Sequence, residues 1–242
     1  MAATLSTARR CSGAYRHAVT TSLPVSASLA WHVTSWLRGH AAADELTSSF
    51  GLTLGQLAAL RRTGADGVGL ALPRAGDPLG LGGPAELNAA ALEAGEAVVG
   101  RGVALVPQHQ GSALWWEQYD AAPRQVPDLG EADRVLRAET LAAAETLARL
   151  DVARWQPELA DEFLDLARPP ELTGPAGIPG PAVALAGRAG RALRIAELGL
   201  ADTGGAAGLA QMTARHDILV ALERAARRGL VAACSADVWP PA

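Results

Sequence analysis

Apolar and polar residues alternate along the front part of the chain in a way that predicts short helices and strands. Helical spacing runs over residues 28–43, with Leu29 and Trp36 on one side, and again over residues 53–62, where Thr53 is a suitable N-cap. Two short apolar runs, at residues 67–73 and 102–107, lie between turn-forming residues and are typical of strands.

A helix is predicted over residues 84–99, between the two strands. A strand–helix–strand connection usually makes a right-handed crossover, so we expect the strands at 67–73 and 102–107 to be parallel. Residues 113–119, ALWWEQY, follow a Gln-Gly-Ser turn and predict a third strand, antiparallel to the second. The pattern therefore indicates a small mixed sheet of about three strands.

Strand patterns stop after a proline-containing linker at residues 123–130, and helical patterns follow. Asp128 and Glu131 have the spacing of a capping box and predict the start of a long helix. The fold class is α+β, with a small sheet followed by a four-helix C-terminal region. The helices are expected from about 131 to 150, from 157 to before 169, from 181 to 200 and from 209 to 234.

The same patterns divide the chain into five parts. They are a flexible tail (1–14), a small α/β domain with a βαββ core (15–122), a linker (123–130), an α-helical region (131–235) and a second tail (236–242).

Composition places the protein among soluble globular chains and excludes several chemistries. Of the 242 residues, 49% are hydrophobic and 19% are charged, and the net charge of -4 gives no general attraction to nucleic acid or anionic membranes. Lysine is absent, which excludes a Schiff-base enzyme, a P-loop and a kinase in their usual forms. The two cysteines, Cys11 and Cys234, form no C-x-x-C pair, so we expect a cytoplasmic protein without a metal or cofactor. A single disulfide between these two cysteines stays open as an alternative.

Residues 80–85, GLGGPA, satisfy the dinucleotide-binding pattern G-x-G-x-x-A but depart from its mechanism. Seven residues, 73–79, separate the loop from the strand, and Pro84 removes an N–H group that would face a phosphate. No acidic residue ends the second strand to bind a ribose. A simple turn is favoured, and a looser site for a small anion stays open, formed by Arg74, Gly80, Gly82, Gly83 and Asn88.

Trp115 and Trp116 are neighbours on a predicted strand, where successive side chains point to opposite faces. One indole can therefore enter the core while the other faces outward as a contact for a protein partner or a second subunit. The alternative is that helices cover both faces of the sheet.

Other charged clusters have plainer interpretations. Acidic residues at 158, 161, 162 and 165 indicate a solvated helix face, and the His216-Asp217 pair lies on two different faces of a helix. Arginines at 188, 191, 194, 224, 227 and 228 are expected to dock against acidic helices of the same chain.

Two functional hypotheses remain. The first is a non-catalytic interaction or assembly protein, with homodimer formation through the tryptophan strand. The alternative is an enzyme or sensor that binds a small phosphate- or nucleotide-like anion at residues 74–88.

Overall fold

A computed structural model describes residues 23–150, 172–201 and 208–239 of the chain. Over these residues the fold is α+β, as predicted, with seven α-helices and one four-stranded sheet. The helices are α1 (Val25–Leu37), α2 (Ala43–Phe50), α3 (Leu54–Arg62), α4 (Ala85–Ala94), α5 (Leu129–Arg149), α6 (Gly180–Ala201) and α7 (Leu209–Ala233). The strands are β1 (Gly69–Ala71), β2 (Ala97–Val99), β3 (Ala104–Gln110) and β4 (Ala113–Tyr119).

The sheet is entirely antiparallel, in the order β1-β2-β3-β4, so the predicted parallel crossover is wrong. The helix predicted over 84–99 ends at Ala94, because Gly95 adopts a left-handed conformation with φ 78° and reverses the chain. The remaining residues, Ala97–Val99, form β2 and pair with β1. This extra strand separates β1 from β3 and makes every neighbouring pair antiparallel.

The helix predicted over residues 28–43 starts earlier and ends six residues earlier than expected. Helix α1 ends at Leu37, Gly39 has φ 82°, and α2 begins at Ala43. Helix α3 was predicted correctly: the Thr53 hydroxyl accepts the Gln56 N–H at 3.2 Å, and the Gln56 side chain accepts the Thr53 N–H at 2.9 Å. This reciprocal capping box fixes the start of α3.

Helices pack on both faces of the sheet, but on the α4 face they leave Trp115 of β4 exposed. On one face, α1, α2 and α3 enclose a core with Leu105 and Trp116, whereas on the other α4 contributes Leu87 and Ala91 against Val106. The sheet is therefore the middle layer of the front part of the chain.

The long C-terminal helices α6 and α7 agree with the predicted spans. The N-cap role predicted for Asp128 in α5 is confirmed, because its carboxylate accepts the Glu131 N–H at 2.9 Å, whereas the reciprocal bond of a full capping box is not formed. Small residues let α6 and α7 approach closely: a Cβ added at Gly229 would lie 3.1 Å from that of Ala189. The helix predicted from residue 157, the first tail and Cys11 lie outside the described residues. Within the described ranges, no helix combines the length and apolar character needed to cross a bilayer.

The N-terminal part of the chain, with α1–α4 and the sheet, and the C-terminal helices α5–α7 share one core. Trp31 and Leu70 pack with Leu185 and Leu230, and the indole of Trp31 donates to the Ala233 carbonyl at 3.1 Å. The chain after α7 then covers the outer edge of β1, where the Ala236 N–H donates to the Val68 carbonyl at 3.1 Å. As a result, β1 has neighbours on both sides and β4 is the remaining edge of the sheet.

Candidate functional site

The glycine-rich loop folds back on the end of β1. Arg74 and Asp77 exchange two backbone hydrogen bonds of 2.9 Å, and the Leu72 N–H donates to the Leu79 carbonyl at 3.1 Å. Gly80 has φ 82°, and a Cβ there would lie only 2.7 Å from the Leu70 carbonyl oxygen. Glycine is needed at this position because the loop contacts the backbone of β1 directly.

The chain after β4 crosses the same loop. The Ala122 N–H donates to the Gly83 carbonyl at 2.9 Å, and a Cβ added at Gly82 would collide with the carbonyl group of Pro123. The close approach of residues 122 and 123 therefore explains the glycine at position 82 without any ligand.

The structure does not bring the five predicted ligand residues together. Arg74 donates to the carbonyl of Gly95 at 3.4 Å, and its Nε lies 3.7 Å from a carboxylate oxygen of Glu223. Asn88 is on α4, with a buried Oδ1 that has no hydrogen-bond partner among the described residues. Only Gly80 and Gly82 of the predicted set line the cavity beside the loop.

That cavity has a volume of about 420 Å³ and lies between residues 77–82 and residues 123–127. Arg124, Gln125 and Arg228 are its polar contributors from outside the loop. Sequence analysis missed them as loop neighbours, because they are distant in sequence and carry no local motif.

Arg227 connects the loop to helix α7. Its side chain is only 3% exposed; Nη1 donates to the Leu72 carbonyl at 2.8 Å, and Nη2 donates to Asp77 Oδ2 at 2.9 Å. Its Nε also lies 2.9 Å from Glu223 Oε1. The predicted docking against an acidic helix is confirmed for Arg188, which pairs with Asp133 of α5 at 2.6 Å. Arg227 instead binds the loop residue Asp77 and Glu223 of its own helix, and Arg228 has no partner among the described residues.

Arg124 holds the linker against β1 in a similar way. Its Nη1 donates to the Leu70 carbonyl at 3.2 Å, and its Nη2 donates to Asp237 at 2.7 Å. Burial lowers the pKa of Arg124, and the charge and hydrogen bond of Asp237 oppose that effect. The Arg124 charge is therefore compensated inside the protein.

The tryptophan pair divides between core and surface, as the strand pattern predicted. Trp116 is 4% exposed and its indole donates to the Phe50 carbonyl at 2.9 Å, whereas Trp115 is 40% exposed. The backbone carbonyl of Trp116 accepts from the Gln56 amide at 2.7 Å, so this side chain covers the middle of the outer edge of β4.

Polar side chains surround Trp115 on its face of the sheet. It pairs across the strands with Gln108, whose amide donates to Glu117 at 3.4 Å. The Tyr119 hydroxyl donates to the same carboxylate at 2.8 Å, and this hydrogen bond raises the pKa of Tyr119.

Comparison with protein-family models gives two adjacent matches. The N-terminal domain model of Rv1486c-like proteins matches residues 26–129, and the C-terminal domain model matches residues 130–231. Together the two models cover most of the chain. The chain belongs to the Rv1486c-like family. The junction between the two Rv1486c-like matches falls at the first turn of α5. Neither the curated proteins nor the solved structures contain a match to the chain.

Within the Rv1486c-like N-terminal match, Glu96 caps a helix from a distance. The N-cap position of α1 is Pro24, which has no side-chain hydrogen bond to offer, and the Ser26 N–H instead donates to Glu96 Oε2 at 2.8 Å. Burial raises the pKa of Glu96, while the Ser26 hydrogen bond and the charges of His109 and Arg74 oppose the shift. Sequence analysis missed this role, because the two residues are 70 positions apart.

Glu96→Gln should make stability less dependent on pH. Because the pKa of Glu96 is raised on folding, this carboxyl binds more protons in the folded protein than in the unfolded chain between about pH 4.5 and its folded-state pKa. Its contribution to stability is therefore lost as pH rises through this window. Glutamine keeps an acceptor for the Ser26 N–H but does not titrate. Urea unfolding at a series of pH values should show a shallower fall for Glu96→Gln than for the parent.

Glu93→Gln is the matched control, because Glu93 is an exposed carboxylate on α4. Its pH profile should follow that of the parent. Identical profiles for Glu96→Gln and Glu93→Gln would show that the burial of Glu96 has no energetic consequence.

Proposed function

We propose that this protein is a non-catalytic assembly protein of the cytoplasm that forms a homodimer through the Trp115 surface, which consists of Trp115, Gln108, Gln110 and Glu117. The observation that carries the proposal is the 40% exposure of Trp115 on the edge strand of the sheet. A large aromatic side chain with a polar rim is the usual anatomy of an interface hot spot.

The chemistry of this surface favours a second copy of the chain as the partner. Glutamine amides both donate and accept hydrogen bonds, so Gln108 and Gln110 can pair with the same residues of another copy across a two-fold axis. The carboxylate on this surface, Glu117, is held in place by hydrogen bonds from Tyr119 and Gln108.

The face of β4, rather than its edge, is the proposed contact. At every second residue of an edge strand, the backbone N–H and C=O groups point away from the neighbouring strand. In β4 these residues are Leu114, Trp116 and Gln118. The Gln56 amide already occupies the carbonyl of Trp116 at the centre of that edge. Addition of a strand from a second copy would have to displace this buried amide, whereas contact through Trp115 leaves it in place.

Three buried or half-buried charged residues already have structural partners, which supports a non-catalytic role. Arg124, Arg227 and Glu96 each connect distant segments of the chain. Cys234 is a free thiol buried in the shared core, a state suited to a reducing compartment.

Trp115→Ser should weaken the dimer by about thirtyfold or more, the effect of losing a hot spot worth about 2 kcal/mol. Light scattering coupled to size-exclusion chromatography, and sedimentation equilibrium over a range of concentrations, would measure the change. Leu54→Ser is the matched control: Leu54 is 77% exposed and starts α3, which packs on the opposite face of the sheet. The proposal fails if the parent protein is a monomer at all concentrations. It also fails if Trp115→Ser and Leu54→Ser form dimers with the same dissociation constant.

A further inference from the structure

We propose that the cavity between the glycine-rich loop and residues 123–127 binds a small organic acid, with its anionic group paired to Arg228 and its apolar part against Leu81 and Val126. The cavity volume of about 420 Å³ falls in the range of small-molecule sites, roughly 300–1,000 Å³. This site differs from the Trp115 surface, so the two proposals stand or fall separately.

Among the described residues that line the cavity, one cation has no charged partner. Asp77 is paired with Arg227 at 2.9 Å, and Arg124 is paired with Asp237 at 2.7 Å. Arg228 also lines the cavity, is exposed, and makes no hydrogen bond or ion pair with any residue that the structure describes. The guanidinium of Arg228 is therefore available to an anion, and its planar group of donors suits a carboxylate or phosphate.

Three backbone N–H groups of the residues that line the cavity also lack a partner among the described residues. Among the lining residues, Leu81 donates its N–H to the Pro78 carbonyl at 2.9 Å. The N–H groups of Leu79, Gly80 and Gly82 make no hydrogen bond with the described part of the chain. A ligand with acceptor oxygens could satisfy such donors.

The remaining lining favours an organic ligand over a bare inorganic anion. Pro78, Leu81, Val126 and Pro127 contribute apolar surface beside the charged group. Burial of a hydrocarbon part against these side chains adds a favourable contribution that inorganic phosphate cannot gain.

The walls of the cavity are held in place by contacts already described. Gly80 lies against β1 and Gly82 lies against Pro123, so neither position can carry a side chain that would fill the space. Arg227 holds Asp77 and Arg124 holds the opposite wall. A site held in this way loses little conformational entropy when a ligand binds.

Binding should be measured for butyrate, hexanoate, octanoate and phenylacetate by isothermal titration calorimetry and saturation-transfer NMR. Hexanamide tests the need for the negative charge, and inorganic phosphate tests the need for the apolar part. We expect saturable binding of at least one carboxylate, and weaker or undetectable binding of hexanamide and phosphate. Failure of every carboxylate to bind, or equal binding of hexanamide or phosphate, would overturn the proposal.

Variants of exposed residues locate the site without affecting the core. Arg228→Gln should weaken carboxylate binding by about tenfold, and Gln125→Glu should weaken it by adding a negative charge to the lining. The matched control is Arg224→Gln, one turn earlier on α7, exposed and outside the lining. Equal affinities of Arg228→Gln, Arg224→Gln and the parent would refute the assignment, whatever the oligomeric state of the protein.

Discussion

Replacement of Arg227 by alanine should lower the free energy of unfolding by about 3–5 kcal/mol, the cost of breaking a buried ion pair by removing one partner. The change leaves the Leu72 carbonyl without its donor and removes the countercharge of both Asp77 and Glu223. Because these partners lie on the loop and on α7, the shared core between the front and rear parts of the chain should also loosen. Urea unfolding followed by circular dichroism would measure the loss.

Arg228→Ala is the control for this experiment. Arg228 follows Arg227 directly but is exposed and has no partner among the described residues, so its removal should change stability by no more than about 0.5 kcal/mol. If the two variants unfold at the same urea concentration, the buried Arg227 network does not stabilise the protein.

Trp116→Ala should destabilise the protein by about 3–5 kcal/mol, the usual cost of removing a buried aromatic side chain. Trp116 lies in the core between the sheet and α1–α3, and its indole donates to Phe50 at the end of α2. Trp115→Ala, at the neighbouring position, should cost less than about 1 kcal/mol because that side chain is partly in solvent. Thermal and urea unfolding of the two variants would make the comparison.

Trp116→Phe separates packing from hydrogen bonding at the same position. Phenylalanine keeps most of the buried aromatic surface but cannot donate to the Phe50 carbonyl, so we expect a loss of about 1–3 kcal/mol, between those of the two alanine variants. If Trp115→Ala lowers the free energy of unfolding more than Trp116→Ala, then Trp115 and not Trp116 is the tryptophan that faces the core.

Local chemistry explains the elements that were predicted correctly. Thr53 and Asp128 satisfy the first N–H groups of α3 and α5 with their own side chains, so both helix starts are visible in a few consecutive residues. The strand at β4 places Trp115 and Trp116 on opposite faces for a similarly local reason, the two-residue period of extended backbone.

The candidate site shows where such local reasoning ends. The loop was recognisable by its glycines, and two of them do line the cavity. Arg74 and Asn88 were grouped with them because they are near in sequence, yet they lie outside the lining. Arg228 comes from α7, far along the chain, and nothing in its neighbourhood marks it as a partner of the loop.

The amino-acid sequence by itself determined the α+β class, the long rear helices, the capping residues and the alternation of the tryptophans, because each depends on residues within one or two turns or along one strand. Only the tertiary structure decided the antiparallel order of the sheet, the cap that Glu96 gives to α1 and the composition of the cavity. These depend on which distant segments meet, as Arg227 and Asp77 do across 150 residues. Contacts between distant segments depend on burial and charge compensation over the whole fold, so they cannot be predicted from a local sequence pattern.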